Sequence, residues 1–399
     1  MKSGFQSKTS IDRALEIFLG SFAPLAGAER VRLDECDGRV LRADVVSPRD
    51  VPHYDRSAMD GFAARAQDTF GSSRDTGLHL RLVTREPVGP GECMRVHTGS
   101  PIPRGADAVV MLENAEVAGG SVEVLGQVSP GQNVGLRGED VRQGDVVFRA
   151  GRQLRPSDAG LLASMGLETV EVFPRPRVVI IPTGEEIVPS GVEPLPGQAT
   201  ESNGVMNQLY VRRYGGIPVL HGIVVDDREK LRAALVESVD HDLIVTTGGS
   251  SVGKRDLVPE VVAGVGEVLV HGVGIKPGRP VAMGYVEAGK RTPIVCLPGY
   301  PAACAIDSMV FVDPAVKRLG HLPPTPHRSV RAVLTRKVPS DAGYRTYVRV
   351  CVEDGKATPM RAKGAGILSS VAQADGYVIV PDDLEGYEAG ETVEVVYLE

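Results

Sequence analysis

The chain has 399 residues, with 51 acidic against 44 basic side chains, five cysteines and no tryptophan. Its length argues for two to four domains, and 42% apolar with 24% charged residues leaves no compositional case for disorder. A net charge of −7 removes the broad basic surface that non-specific nucleic-acid binding needs.

The N-terminus has no apolar signal core, and no apolar run approaches the ~18 residues of a membrane span, so a cytoplasmic protein with no membrane partner is expected. Cys36, Cys93, Cys296, Cys304 and Cys351 are scattered without CxxC spacing and read as reduced thiols. The histidines show no zinc-ligand pairing, so any metal falls to carboxylates.

A helix opens the chain. Thr9 or Ser10 can cap it, and Ile11, Ala14, Leu15, Phe18 and Leu19 recur on one face. From about Val31 to Val147, short apolar runs broken by Gly, Pro and Asp predict a β-rich region. A helix follows from Pro156 through LLASMG, with Gly166 as its C-terminal stop, and FPRPR (173–177) reads as a linker.

Beyond it, Val178–Ile181 predicts a strand buried on both faces. Next come a helix (Ser202 to Tyr214), a strand (Ile217 to Val225), a helix (Asp227 to Val239) and a strand (Leu243 to Thr246). A glycine-rich turn then leads to another helix, strands near Val281 and Ile294, and one helix from Ala302 to about Leu319. This alternation predicts a doubly wound α/β domain. Past HLPPTP the helices vanish, and SVRAVL, TYVRVCV, YVIV and TVEVV predict a small β domain. The expected division is 1–175, with a β-rich module inserted at about 62–138, then 176–322 and 323–399.

In an open α/β sheet, ligands bind beyond the carboxyl ends of the strands. There the sequence places Thr183, Gly184 and Glu186, then Asp226, then TTGGSSVG with Gly248, Gly249, Ser250 and Ser251, and Asp256 shortly after. KPGRP adds Lys276 and Arg279, and LPGYP adds Pro298 and Pro301. Glycines let backbone N–H groups approach an anion, and the following helix adds its positive end. Asp226 and Asp256 would each serve alone as a helix cap. Together with Glu186 and a glycine loop, they are better explained as an Mg²⁺ and phosphate site. SAMDGF, with Asp60, and HTGSPIP, with Thr98, read as turns that spacing alone assigns to no site.

These segments together resemble the MoeA family of molybdopterin molybdenumtransferases, related to the second catalytic domain of gephyrin. The matching pieces are SAMDGFA, HTGSPIPRGADAVVMLE, GEDVRQGD, IIPTGEEIV, TTGGSSVGKRD, IKPGRP and LPGYPAA, in the family's order. The resemblance implies a multidomain α/β plus β fold: a central molybdopterin-binding α/β domain, a discontinuous elongated N-terminal region and a C-terminal β domain. It also implies a homodimer whose active sites are shared between subunits. The implied reaction inserts molybdate into adenylylated molybdopterin (molybdopterin-AMP) with Mg²⁺-dependent release of AMP. Asp60, Thr98, Asp140, Glu186, Asp226, Asp256 and Lys276 match functional family positions, and Arg349 matches a C-terminal arginine. In this reading Glu186, Asp226 and Asp256 hold Mg²⁺, while Lys276, Arg279 and the TGGSS backbone neutralise anion charge. A molybdopterin adenylyltransferase and molybdoenzymes are the implied protein partners.

Three positions depart from the family pattern. Gly272 stands where a second lysine is common, Tyr300 replaces the asparagine of PGNP, and Ala365 replaces a serine. They keep open a carrier or scaffold that binds molybdopterin without turnover. An adenylyltransferase is the third alternative, but it would not need the SAMDG region.

Overall fold

In a computed structural model of the chain, residues 9–249, 257–324, 327–360 and 366–398 are described. They fall into two compact units, one formed by Met1–Glu29, Gly38–Val40 and Phe173–Glu399, the other by Arg30–Asp37 and Leu41–Val172.

The first unit begins with helix α1 (Ile11–Gly20). Ser10 caps it by accepting the Arg13 backbone N–H at 3.3 Å, and Ile11, Ala14 and Phe18 are buried. The sequence groups this helix with the N-terminal region. Its apolar face packs into the core of the α/β domain, which explains its place in this unit.

That domain is built on β1 (Arg177–Pro182), α3 (Asn203–Arg213), β2 (Ile217–Leu220), α4 (Arg228–Glu237), β3 (Leu243–Thr247), α5 (Leu257–Val265), β4 (Gly266–His271), β6 (Ala282–Glu287) and β7 (Arg291–Leu297). A two-residue strand, β5 (Ile275–Lys276), interrupts the run, and α2 (Pro156–Ser164) precedes it in the second unit. The sheet order is β2-β1-β3-β7-β6-β4, with the first four strands parallel, β6 antiparallel to β7 and β4 antiparallel to β6.

Side chains alternate across the sheet. Val178, Ile180, Leu243, Val245, Val295 and Leu297 meet α1 and α3 on one face. Val179, Ile181, Ile244, Ile294 and Cys296 meet α4 and α5 on the other. Helices on both faces make the domain doubly wound.

Three details differ from the sequence expectation. The second strand stops at Leu220 rather than Val225, because the chain leaves the sheet through His221 and Gly222 before Val224 bridges to Thr183. The edge strand β4 is an addition. The expected single helix from Ala302 to Leu319 is α6 (Pro301–Asp307), a π-helical stretch Ser308–Val312 and α7 (Asp313–Leu319). Pro314 lacks the N–H that a regular α-helical turn requires there, and the wider turn accommodates it.

The tail comprises β8 (Ser329–Leu334), β9 (Arg345–Glu353), β10 (Lys356–Pro359), β11 (Gly376–Val380) and β12 (Thr392–Tyr397). Pairings run β9-β10-β8-β12-β11 and return to β9, closing a small barrel around Val350, Val378, Val393 and Val395. Strand β5 adds to β9, with Ile275 opposite Arg345 and Lys276 opposite Thr346.

The second unit contains α2 and a six-stranded sheet spanning Gly61 to Val124. Within it, Gly61–Ala64 lies between Glu92–Val96 and Ala108–Met111 in antiparallel register.

Candidate active site

At the carboxyl ends of β1, β3 and β7 the backbone is drawn together. The Thr183 N–H donates to the Thr247 carbonyl at 2.9 Å, and the Gly248 N–H donates to the Leu297 carbonyl at 3.1 Å. A Cβ built on Gly248, at φ +108°, would run into the Thr183 carbonyl. A Cβ on Gly249, at φ +64°, would run into Val258. Only glycine fits both positions. This rim lies between β1 and β3, where the strand order reverses and α/β domains bind their ligands.

Thr183 is buried, whereas Glu186 is exposed on the following loop. The Gly184 N–H donates to the Val224 carbonyl at 3.1 Å, which sets the loops carrying Glu186 and Asp226 side by side. Asp227 caps α4, accepting the Lys230 N–H at 2.9 Å. The capping role expected of Asp226 therefore belongs to its neighbour. Ser250, Ser251 and Asp256 lie outside the described residues. Among the described residues, no three acids, cysteines or histidines gather as a metal-ligand cluster.

After β7, Pro298 is buried, Tyr300 is exposed and Pro301 starts α6. Asn203, the first residue of α3, donates its side-chain amide to the Gly299 carbonyl at 2.9 Å. The sequence reading missed Asn203. An amide at the first position of a helix facing the LPGYP loop is its only sequence signal.

The cations come from the loop that joins the α/β sheet to the barrel. Lys276 forms an ion pair with Asp341 and lies 4.6 Å above the Tyr344 ring. Arg279 lies 6.0 Å from the same ring. The Gly272 N–H donates to the Val281 carbonyl at 3.0 Å and the Val273 N–H to the Arg279 carbonyl at 3.1 Å, closing the loop at its neck. Gly272 sits at φ +83°, where a lysine would be strained. At the neck, Val281 lies across from Gly272 and Arg279 across from the next residue, Val273.

Three residues beyond Thr346 on β9, Arg349 is 8% exposed and its Nε has no hydrogen-bond partner. Burial lowers its pKa from the usual arginine value. A buried guanidinium with an unmet donor is prepared for an anion. Along the helix that follows the rim, a groove of about 860 Å³ is lined by Ser202, Met206, Tyr210, Leu368 and Val371.

In the second unit, Asp60 is exposed. Its Oδ1 accepts the Thr98 backbone N–H at 2.7 Å and the Thr98 hydroxyl at 3.3 Å, with His97 Nδ1 at 3.6 Å. The Thr98 N–H is the main reason its carboxyl sits below the usual range. Two turns that spacing could not connect are therefore one hydrogen-bonded constellation. Asp140 is exposed, and its backbone N–H donates to the Val51 carbonyl at 3.1 Å.

A doubly wound α/β domain with a glycine-built rim at its switch point, joined to a small closed barrel, has the architecture of a small-molecule site. Three family models match in succession: "MoeA N-terminal region (domain I and II)" over 9–166, "Probable molybdopterin binding domain" over 179–318 and "MoeA C-terminal region (domain IV)" over 331–398. A Mycobacterium tuberculosis protein called molybdopterin molybdenumtransferase 2 is 35% identical over 384 residues, covering 92% of this chain and 94% of that one. The Bacillus subtilis molybdopterin molybdenumtransferase is 33% identical over 390 residues, covering 93% and 90%. The crystal structure of a molybdopterin biosynthesis protein from Pyrococcus horikoshii superposes with TM-score 0.83 at 34% identity, covering 98% of this chain and 100% of that one. The chain belongs to the MoeA family.

Proposed function

We propose that this chain, a transferase of molybdenum-cofactor biosynthesis, takes adenylylated molybdopterin and molybdate, places the metal on the dithiolene sulfurs and releases AMP. The observation that carries this reading is the glycine-built rim at the sheet's switch point, with Lys276 and Arg279 on a loop of the same domain. Gly249, Ser250 and Ser251 receive phosphate, Thr183 and Gly248 shape the rim beside them, and Pro298 and Pro301 hold the last loop. Lys276, Arg279 and Arg349 receive oxyanion charge, and the oxyanion displaces Asp341 from Lys276. Arg279, at the neck of its loop, compensates for the cation absent at Gly272.

Mg²⁺ fits the acids present. This ion is held by one or two carboxylates plus substrate phosphates, and Glu186 and Asp226 lie on adjacent loops with that donor chemistry. Asp256 completes the proposed set. When bound, Mg²⁺ would neutralise phosphate charge and act as a Lewis acid. Asp60, ionised and oriented by Thr98, and Asp140 act on the water that cleaves the adenylate phosphate link. They would come from the other subunit of a homodimer.

The protein is proposed to work in the cytoplasm, beside an adenylyltransferase that supplies its substrate and molybdoenzymes that accept its product. Among the described residues no helix is long and apolar enough to cross a membrane. The test incubates purified protein with molybdopterin-AMP, Mg²⁺ and molybdate and measures AMP. Release confirms turnover, whereas tight binding without release returns the carrier reading. Light scattering on the same sample measures the dimer, and tungstate in place of molybdate measures oxyanion preference.

A further inference from the structure

Asp307 is the last residue of α6, where the helix widens into its π-helical stretch. Its side chain is fully buried, and neither carboxyl oxygen has a hydrogen-bond partner. An acid in this condition within the apolar run AACAIDSMVFV has no structural role that packing alone explains. It faces the KPGRP loop. Gly278 sits at φ +125°, and a Cβ there would run directly into the Asp307 carboxyl. The carboxyl therefore fills the space behind Gly278, on the loop that carries Lys276 and Arg279.

The groups around Asp307 do not neutralise it. From β9, Tyr347 is near enough for the charge of Asp307 to help raise its phenol pKa, which burial is the main force in pushing up to about 12. Arg345 on that strand is committed to Asp12 at 2.9 Å. On the same helix, Cys304 is fully buried and also feels the carboxylate. Lys276 is paired with Asp341 on the outer side of the loop. Burial alone raises the Asp307 carboxyl well above its ordinary value, because nothing nearby stabilises the charged form.

We propose that Asp307 is a positioning residue: its carboxyl, sealed behind Gly278, sets the backbone of the KPGRP loop, and charge on that carboxyl weakens oxyanion capture by Lys276 and Arg279. This rests on the oxyanion role proposed above for the loop. A neutral acid leaves the loop's two cations to the incoming dianion. An ionised one sets a negative charge at low dielectric behind the loop that carries these cations and opposes the dianion.

The experiment measures molybdate affinity by calorimetry on the intact protein and on Asp307→Asn, which keeps shape but cannot ionise. Across a pH series that carries Asp307 from neutral to ionised, the unmodified protein should lose roughly tenfold more affinity than Asp307→Asn, one pKa unit's worth of coupling. Melting temperature without oxyanion supplies the second reading. Because the folded chain holds this proton more tightly than the unfolded chain does, folding loses stability as pH rises from the unfolded carboxylate range through the folded pKa. Asp307→Asn has no such loss. Its melting temperature should match the unmodified protein's near pH 4 and exceed it increasingly toward neutral pH.

Parallel affinity profiles would overturn the role of Asp307 while leaving the loop's oxyanion role intact. No molybdate binding by the unmodified protein at any pH would overturn the loop's role, and this one with it. Asp307→Ser, which tolerates hydration in the vacated space, repeats the comparison should the amide fold poorly.

Discussion

Asp60 and Asp307 are the same residue in opposite circumstances. Asp60 is exposed, accepts two hydrogen bonds from Thr98 and is held below the ordinary carboxylate range. Asp307 is sealed in, bonded to nothing and driven far above it. Their surroundings push the two carboxyls in opposite directions. The second unit thus holds an acid whose charged form is favoured, whereas the α/β unit holds one whose charged form burial disfavours behind Gly278.

The largest test of that contrast is Asp60→Asn. The amide still accepts the Thr98 N–H, so the turn should fold and the melting temperature should hold. AMP release should fall about 10²–10⁴-fold, the range for losing a general acid–base group. A variant that keeps its rate would remove Asp60 from the chemistry. Next is Gly248→Val, which attacks the backbone-built rim through both φ and the Thr183 carbonyl. It should cost about 3 kcal/mol or more in denaturant unfolding.

A smaller effect separates two adjacent acids. Asp227→Ala should lose about 1 kcal/mol of stability with its cap and keep activity. Asp226→Ala should keep its stability and lose Mg²⁺ dependence, read by titrating Mg²⁺ against AMP release. The smallest effect is Asp341→Ala. Releasing Lys276 from a partly exposed ion pair should tighten molybdate binding up to about fivefold, the ~0.2–1 kcal/mol of such a pair.

The α/β core was legible because its central strands carry continuous apolar runs, as in Val178–Ile181, and glycine or a capping acid marks most helix ends. Strand β4 was harder to see: GEVLVH follows AGV, and its Val268, Leu269 and Val270 run reads equally as the tail of the preceding helix. Strand β2 read too long because Ile223, Val224 and Val225 continue the apolar signal after the chain has left the sheet. The glycine loops of the site were readable for a related reason. A missing Cβ leaves a mark in the sequence, and here Gly248, Gly249 and Gly278 each answer to a specific obstruction. Contacts made by ordinary side chains across long separations left none. Lys276 with Asp341 and Asn203 with Gly299 emerge only once the chain is folded.

Helix α1 has a consequence for how the protein is made. Its buried Ile11, Ala14 and Phe18 rest against a sheet whose first strand begins at Arg177. At ribosomal rates of ~5–20 residues per second, the helix leaves the exit tunnel roughly 8–30 s before that sheet starts to form. Throughout that interval its apolar stripe has no native neighbour from the α/β domain. Newborn chains stalled or truncated before residue 177 would keep the stripe uncovered and be natural clients for chaperones that bind short apolar segments.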